Sequence, residues 1–581
     1  MFKRKKETFY YAGLEVPALT TMDRYKCLDD ATKGVLKKAS KRIAVIMFVF
    51  FLCFSAIIGK LFYLTVLSYQ SRTFTPSILK TDLNINRHNI VDRNGMILAT
   101  SVPTKDLSIN PRMVKEKDKI AVAENLSKVL PGVTKEDVLK KIEMGGSFRY
   151  IKRNITPIEQ KDVNWLGYYF LTETDGEKRV YPQGSLFSHL IGSVDIDNKG
   201  TAGLEKAYEP VITEKNLSLS LDVSVQDAVH RILSQNIKKF KADGGTSIVM
   251  DVHSGEVLAS VSLPDYNPNL AVTDDEDARF NKATLGAYEF GSVFKLFNTA
   301  IALETKSIKP YDVFDASKPM KIGRKTFEDY RGQNRPLMVP EILIHSSNIG
   351  SIRIALKAGY EKQREFLGRF GFYEPLPINL PERTRTQYPS LKDKWAEITS
   401  ANVSFGYGIS ISPLHLISAV SALVNGGYYR APTFIKGGNK GKAEYQVISS
   451  KVSEQMRHMM WGVINWNLKE TDPIRAYAVG GKTGSANLLK NGKYVQGSLR
   501  TTFVCAFPMN EPRYAVLVVL ENPQRTKETF NFNTAGWNAK PTGLQIVSEI
   551  APYLGVPAQE EWKQPSYMAR AIETSLKAKK R

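Results

Sequence analysis

From Ile43 to Gly59 the chain carries 17 residues without a charge, and beyond Lys60 the apolar character resumes through Leu67. About 20 such residues cross a bilayer as a helix. Phe48, Phe50, Phe51, Leu52 and Phe54 would face every side of that helix, leaving no polar stripe for a soluble one. The pattern predicts a transmembrane anchor over 43–67, with Lys60 reaching toward one interface. From 68 to 217 the pattern changes to short apolar alternations broken by Gly and Pro. A strand, an Arg93-Asn94-Gly95 turn and a second strand fill 87–99, helical periodicity flanks Pro131-Gly132, and 181–185 reads as another turn. By pattern alone we expect a non-catalytic α+β support or interaction domain here. Beyond 218 we expect a helix over 225–239 and strands over 246–251, 256–260, 478–486, 501–507 and 514–520, with a helix near 544–554. The stretch 310–466 is largely helical by pattern. The expected fold class is α+β: an anchor, a support domain, and a catalytic domain over 218–560 with a five-stranded antiparallel sheet, a helical lobe and a cleft between them. Residues 1–42 form an N-terminal tail and 561–581 a basic, disordered tail.

Charge sets the topology. Residues 1–42 hold eleven Lys or Arg against five Asp or Glu, with Lys37, Lys38, Lys41 and Arg42 abutting the apolar run. Positive flanks stay in the cytoplasm, so everything after the anchor is expected outside it, on the inner (plasma) membrane. The leader is too long for a cleaved signal peptide. Cys27, Cys53 and Cys505 then fall in three different compartments and cannot pair. The net charge of +22 suits a membrane surface or an anionic envelope polymer. No zinc-finger spacing, phosphate loop or arginine-rich block supports nucleic acid.

The candidate chemistry centres on Tyr288-Glu289-Phe290-Gly291-Ser292-Val293-Phe294-Lys295-Leu296-Phe297. The apolar run continues to Leu303, too long for a buried strand, and predicts a buried helix starting at Ser292. Ser292 and Lys295 then share one face. A serine is a weak nucleophile until a base takes its proton, and an amine is a base only when neutral, which burial favours. Taken alone, the short Ser-x-x-Lys spacing favours the plainer reading, with Ser292 a helix cap and Lys295 a snorkelling side chain. Two distant clusters bear on that choice. Ser346-Ser347-Asn348 lies 54 residues on, and Lys482-Thr483-Gly484 a further 136, on a predicted strand at the cleft edge. There Gly484 would let a substrate backbone approach, Lys482 would be a fixed positive charge for a carboxylate, and Thr483 and Ser485 would offer hydroxyls.

This ordered trio of motifs resembles the signature of penicillin-binding proteins and class A β-lactamases. The likeness extends further. Arg87 with 90–95, Tyr181-Pro182, Gly184-Ser185, 189–192 and Gly203-Leu204-Glu205 resemble the non-catalytic motifs of class B penicillin-binding proteins. Asp251, Gly255-Glu256, Phe405-Gly406-Tyr407-Gly408 and Pro413-Leu414 resemble their transpeptidase domain. The resemblance implies a serine-type peptidoglycan D,D-transpeptidase that is acylated by β-lactams. It implies Ser292 as the acylated serine, Lys295 as general base, and Ser346 and Asn348 in proton relay and donor-peptide binding. Lys482, Thr483, Gly484 and Ser485 would then receive the terminal carboxylate, and the backbone N–H groups of Ser292 and Ser485 would form an oxyanion hole. No metal or cofactor is implied, and His345 is structural.

The segment 534–541 resembles the division-specific type, which implies septal wall synthesis at the division site, with an elongation enzyme as the alternative. Implied partners are peptidoglycan stem peptides ending in D-Ala-D-Ala, a multi-span lipid-linked glycan polymerase and small single-span division proteins. A class A β-lactamase would need a Glu-x-x-x-Asn pattern between Asn348 and Lys482, and none occurs. Glu136-Asp137 is not followed by the rest of a glycosyltransferase motif. A β-lactam sensor or non-catalytic division scaffold keeps Ser-x-x-Lys and is the other alternative. The sequence departs from the family pattern at Phe290, where many members have proline, at His88-Asn89 and at Ser485, which replaces a usual threonine but keeps the hydroxyl.

Overall fold

The computed structural model describes residues 8–11, 14–17, 30–62, 87–270, 274–439, 444–469, 471–490, 493–558 and 562–579. Cys27, the 63–67 end of the expected anchor and the 68–86 start of the expected support domain lie outside them. The chain divides into two compact units, 1–83 and 84–581.

The first unit is dominated by helix α1, Asp30–Phe62. Its stretch Ser40–Lys60 is long and apolar enough to cross a membrane, and its side chains are exposed. The helix begins well before residue 43 because Ala31, Lys33, Leu36, Lys37, Lys38 and Ala39 are strong helix formers.

In the second unit, β1 (Ile90–Val91), β2 (Ile97–Ile109), β3 (Arg149–Ile155), β4 (Leu171–Val180) and β5 (Leu217–Ser218) form one sheet. The long β2 pairs antiparallel with β1, β3 and β4, while β5 lies parallel to β1. Helices α2 (Lys119–Val129), α3 (Lys135–Glu143) and α4 (Pro157–Trp165) contribute Val122, Leu126, Val138, Ile142 and Val163 to a small core with Leu107 and Ile109 of β2. Helix α4 starts where the sequence dictates: Thr156 and Glu159 form a reciprocal capping box, with Pro157 at the first helical position.

The Arg87 and Gly203-Leu204-Glu205 motifs meet in a buried ion network. Arg87 Nε donates to Glu205 Oε2 at 2.7 Å and Arg179 Nε to Glu205 Oε1 at 2.8 Å. Glu205 is 0% exposed, so one buried carboxylate bonds two buried guanidinium groups, and Glu209, taking Arg87 Nη1 at 2.7 Å, supplies the second negative charge. Removing one partner of such a cluster leaves a buried charge uncompensated, costing about 3–5 kcal/mol. Glu205→Ala is therefore expected to destabilise unit 84–581 by about that amount in urea unfolding, and Glu209→Ala, whose site is half open, by clearly less.

The main sheet consists of β6 (Gly244–Asp251), β7 (Val257–Leu263), β8 (Gly480–Lys490), β9 (Lys493–Phe507) and β10 (Tyr514–Glu521). Its order is β8-β9-β10-β6-β7, antiparallel throughout, as the pattern of apolar runs leads one to expect. Strand β7 is buried along its full length, and β6 and β10 along all but their last residue, so both sheet faces are covered. Helices α5 (Val223–Phe240) and α11 (Ala539–Tyr553) pack on the strands and on each other, and α9 (Pro413–Val424) reaches the same strands from the helical lobe. That lobe also contains α6 (Phe294–Glu304), α7 (Val339–Ile344), α8 (Asn348–Ala358) and α10 (Ser450–Asn465). Strand β8 forms one edge of the main sheet and β7 the other.

The chain past 561 differs from the expected disordered tail. Ser566–Lys579 is a helix, α12, because Tyr567, Met568, Ala571 and Ser575 fall at helical spacing and are buried against the lobe. The net basic character of 577–581 hid this apolar stripe.

Candidate active site

Ser292 does not open an α-helix directly. Gly291–Val293 form a 3-10 turn and α6 starts at Phe294, so Ser292 and Lys295 are stacked one tight turn apart. Ser292 is half-buried, and its hydroxyl has no hydrogen-bond partner among the described residues. Lys295 is 0% exposed within an all-buried helix face that includes Phe294, Phe297 and Ile301.

The Lys295 amine is held by three atoms from one turn of the lobe. It donates to the carbonyl oxygen of Ser346 at 2.5 Å and to Asn348 Oδ1 at 2.7 Å, with Ser346 Oγ at 3.2 Å. A neutral amine has two hydrogens and one lone pair. The two short carbonyl contacts take the hydrogens and leave the lone pair as a proton acceptor. Burial above all, then the neighbouring charge of Lys482, pushes the Lys295 ammonium well below its ordinary pKa, against a smaller opposing pull from Asp329.

Helix α7 ends in a turn in which Ser346 N–H meets the Leu343 carbonyl and Ser347 N–H the Ile342 carbonyl. This Schellman pattern puts Ser346 in the left-handed region at φ 55°, where glycine is usual. A non-glycine residue there costs about 1–2 kcal/mol. A glycine would relieve it but would lack the hydroxyl that joins Lys295 to Lys482, whose Nζ lies 3.0 Å from Ser346 Oγ. Ser347 then caps α8 through Gly350 N–H at 2.9 Å.

Asp329 escaped the sequence reading. Its carboxylate accepts from Ser347 Oγ at 2.6 Å and from the N–H groups of Asn348 and Ile349 at the start of α8, where a negative charge is favoured. It sits in a loop 18 residues before Ser347 with no local pattern to mark it.

On β8, burial alternates. Lys482, Gly484 and Ala486 face inward, and Thr483 and Ser485 are half-open. Lys482 is 1% exposed, and burial, then nearby Lys540, lowers its pKa to about 7. The positive charge expected there from sequence is thereby weakened by burial. The glycine argument also changes. A Cβ on Gly484 would stand 2.2 Å from the carbonyl oxygen of Phe290, so the close approach is by the chain's own Phe290-Gly291 backbone and not by substrate. Ser485 Oγ accepts from Ala535 N–H at 3.0 Å, which leaves its hydrogen free to donate into the cleft and ties the 534–541 segment to the site.

The Phe405–Gly408 motif completes the setting. Gly408 N–H donates to Glu289 Oε1 at 2.7 Å, and Tyr494 OH to Glu289 Oε2 at 3.0 Å, bracing the stretch that carries Ser292. Phe290 has φ −103°, outside the range near −65° that proline imposes. Its ring is buried edge-on to Tyr288 at 6.2 Å, so packing replaces the stiffness of a proline. Among the described residues His345 is not a hydrogen-bond partner of Lys295 or Lys482. It faces Ser575, as a structural residue would.

The chain was then compared with known proteins. Residues 245–539 match the penicillin binding protein transpeptidase domain, and 83–239 the penicillin-binding protein dimerisation domain. A protein of Caulobacter vibrioides described as "Probable peptidoglycan D,D-transpeptidase FtsI" is 34% identical, covering 82% of each chain. The "Peptidoglycan D,D-transpeptidase FtsI" of Escherichia coli K12 is 26% identical over 84% of this chain and 88% of its own. Among solved structures, penicillin binding protein 3 of Mycobacterium tuberculosis, complexed with aztreonam, shares the fold with a TM-score of 0.63 at 21% identity, covering 82% of this chain and 97% of that one.

Proposed function

The chain belongs to the penicillin-binding protein transpeptidase family, in its class B form with a dimerisation domain, and from that premise we propose that it cross-links peptidoglycan stem peptides through a Ser292 acyl-enzyme. One observation carries the reading. A buried amine at Lys295, whose charged form its surroundings disfavour, shares the Ser346 hydroxyl with a second amine, Lys482, one turn from a serine hydroxyl with no hydrogen-bond partner among the described residues.

In the first step Lys295 Nζ takes the Ser292 proton while Ser292 Oγ bonds to the carbonyl carbon of the penultimate D-alanine. The N–H groups of Ser292 and Ser485 stabilise the oxyanion. The C–N bond breaks, and the departing amine of D-alanine receives its proton from Lys295 by way of Ser346 Oγ. In the second step an amine of a neighbouring stem attacks the Ser292 ester, loses its proton back through Lys295, and releases Ser292 with a new amide bond. Protonated Lys482, with Thr483 and Ser485 hydroxyls, receives the donor's terminal carboxylate. A β-lactam follows the first step and stops at the ester.

Helix α1 anchors the enzyme, its basic flank inside and the 84–581 unit outside the cytoplasm. The FtsI designation of the relatives and the 534–541 segment favour septal synthesis over elongation. The polymerase and single-span division proteins are its expected partners there.

The test supplies uncross-linked glycan strands to purified full-length enzyme. Release of D-alanine together with cross-linked muropeptides, both lost in Ser346→Ala, is the expected result. Labelling by penicillin without any cross-link would return the protein to the sensor or scaffold class. In cells, depletion is expected to give filaments, and rounded cells would assign it to elongation.

A further inference from the structure

The transpeptidase match ends at residue 539, yet residues 562–579 are built into the helical lobe beside the site. Trp562 stacks on His458 at 4.0 Å, and Gln564 Oε1 lies 2.9 Å from His458 Nδ1. Tyr311 OH and Ser566 Oγ are 2.6 Å apart. Met568 fills the hollow over Gly462, where a Cβ would stand 2.1 Å from its Cε. These contacts fasten the start of α12 to α10 and to the loop after α6.

The far end of α12 does something else. Ser575, 0% exposed, places its Oγ 3.0 Å from His345 Nε2. The His345 ring lies edge-on to Trp466 at 5.5 Å, and the Lys579 ammonium sits over the same indole at 5.6 Å. His345 is the last residue of the α7 cap, and the next residue is Ser346 in its left-handed conformation. A strained residue persists only where its surroundings overdetermine it. On the downstream side Asp329 fixes the turn through Ser347, Asn348 and Ile349. On the upstream side the anchor of the His345 side chain is Ser575.

We propose that the C-terminal helix is a strap that locks the turn bearing Ser346, with His345 and Ser575 as positioning residues for acyl transfer. The proposal rests on the reading of Ser292 and Lys295 given above. Burial lowers the His345 pKa to about 4, so the ring is a neutral partner to the Ser575 hydroxyl. Loss of the bond loosens the turn, and Ser346 Oγ then spends less time between Lys295 and Lys482.

The test uses the full-length chain in detergent with Ser575→Ala and Ser575→Thr. Amide hydrogen exchange over 339–348 and the acylation kinetics of a fluorescent penicillin are read side by side. Ser575→Ala is expected to speed exchange in that segment and to lower the maximal acylation rate about five- to tenfold, the scale of one lost hydrogen bond, at an unchanged half-saturating concentration. Ser575→Thr, which keeps the hydroxyl, is expected to restore both. Wild-type exchange and rate in Ser575→Ala, or equal defects in both variants, would overturn the proposal. If wild-type protein takes no label at all, the reading of Ser292 fails, and the exchange comparison alone still decides the strap.

Discussion

Ser292→Ala is expected to remove covalent penicillin labelling and D-alanine release, by a factor of about 10⁴ or more, while leaving the thermal unfolding transition in place. Loss of the nucleophile from a serine acyltransferase has an effect of that order, since every other group acts through it. Folding is spared because Ser292 is half-buried and its hydroxyl has no hydrogen-bond partner among the described residues. The same substitution at Ser347 makes the contrast. Ser347 caps α8 and donates to Asp329, so Ser347→Ala is a stability variant, costing about 1 kcal/mol for the cap.

The second large effect concerns pH and the two buried amines. Lys295 works as a base only when neutral, so acylation rises with pH through its depressed pKa. Lys482 holds a carboxylate only when protonated, so substrate capture falls as pH rises through about 7. The acylation efficiency should therefore be bell-shaped, with Lys295 setting the acid limb and Lys482 the alkaline limb. Arginine stays charged, so Lys295→Arg is expected to lower acylation about 10²–10⁴-fold across the whole range, the usual share of a general base. Lys482→Met gives a directional check. The charge of Lys482 is the second cause of the low Lys295 pKa, so its removal raises that pKa and moves the acid limb to higher pH. The alkaline limb should vanish in the same variant. Stopped-flow acylation from pH 5 to 10 reads both limbs.

Four strands of the sheet were legible as short apolar runs rich in β-branched residues, whereas β8 carries only Thr483 of that type, and all five appear close to where the reading put them. Strands β8 and β9 extend past the expected ends at Ala486 and Thr501 because their outer parts, 487–490 and 493–500, continue pairing as a hairpin of mixed apolar and polar residues. The boundary drawn at 217/218 falls inside β5, which pairs with β1 through backbone hydrogen bonds that leave no trace in composition. Helix α12 was missed because charge at its end outweighed four apolar or small positions spaced three to four apart.

At the site, helical spacing put Ser292 and Lys295 on one face, and the apolar pattern put Lys482 on a strand at the cleft edge. What spacing could not supply was chemistry set by burial. For Lys482, nothing in Lys-Thr-Gly reports the desolvation that lowers its pKa. Gly484 read as room for substrate, but the space is taken by the Phe290 carbonyl. Asp329 was invisible since its three partners come from a helix start far along the chain.

The most direct measurement is mass spectrometry of full-length protein after reaction with a penicillin, followed by proteolytic mapping of the adduct. One acyl group per chain, on Ser292 in the peptide that spans Tyr288 to Lys295, is the predicted result. An adduct on any other residue, or an unmodified chain that remains folded, would contradict the account.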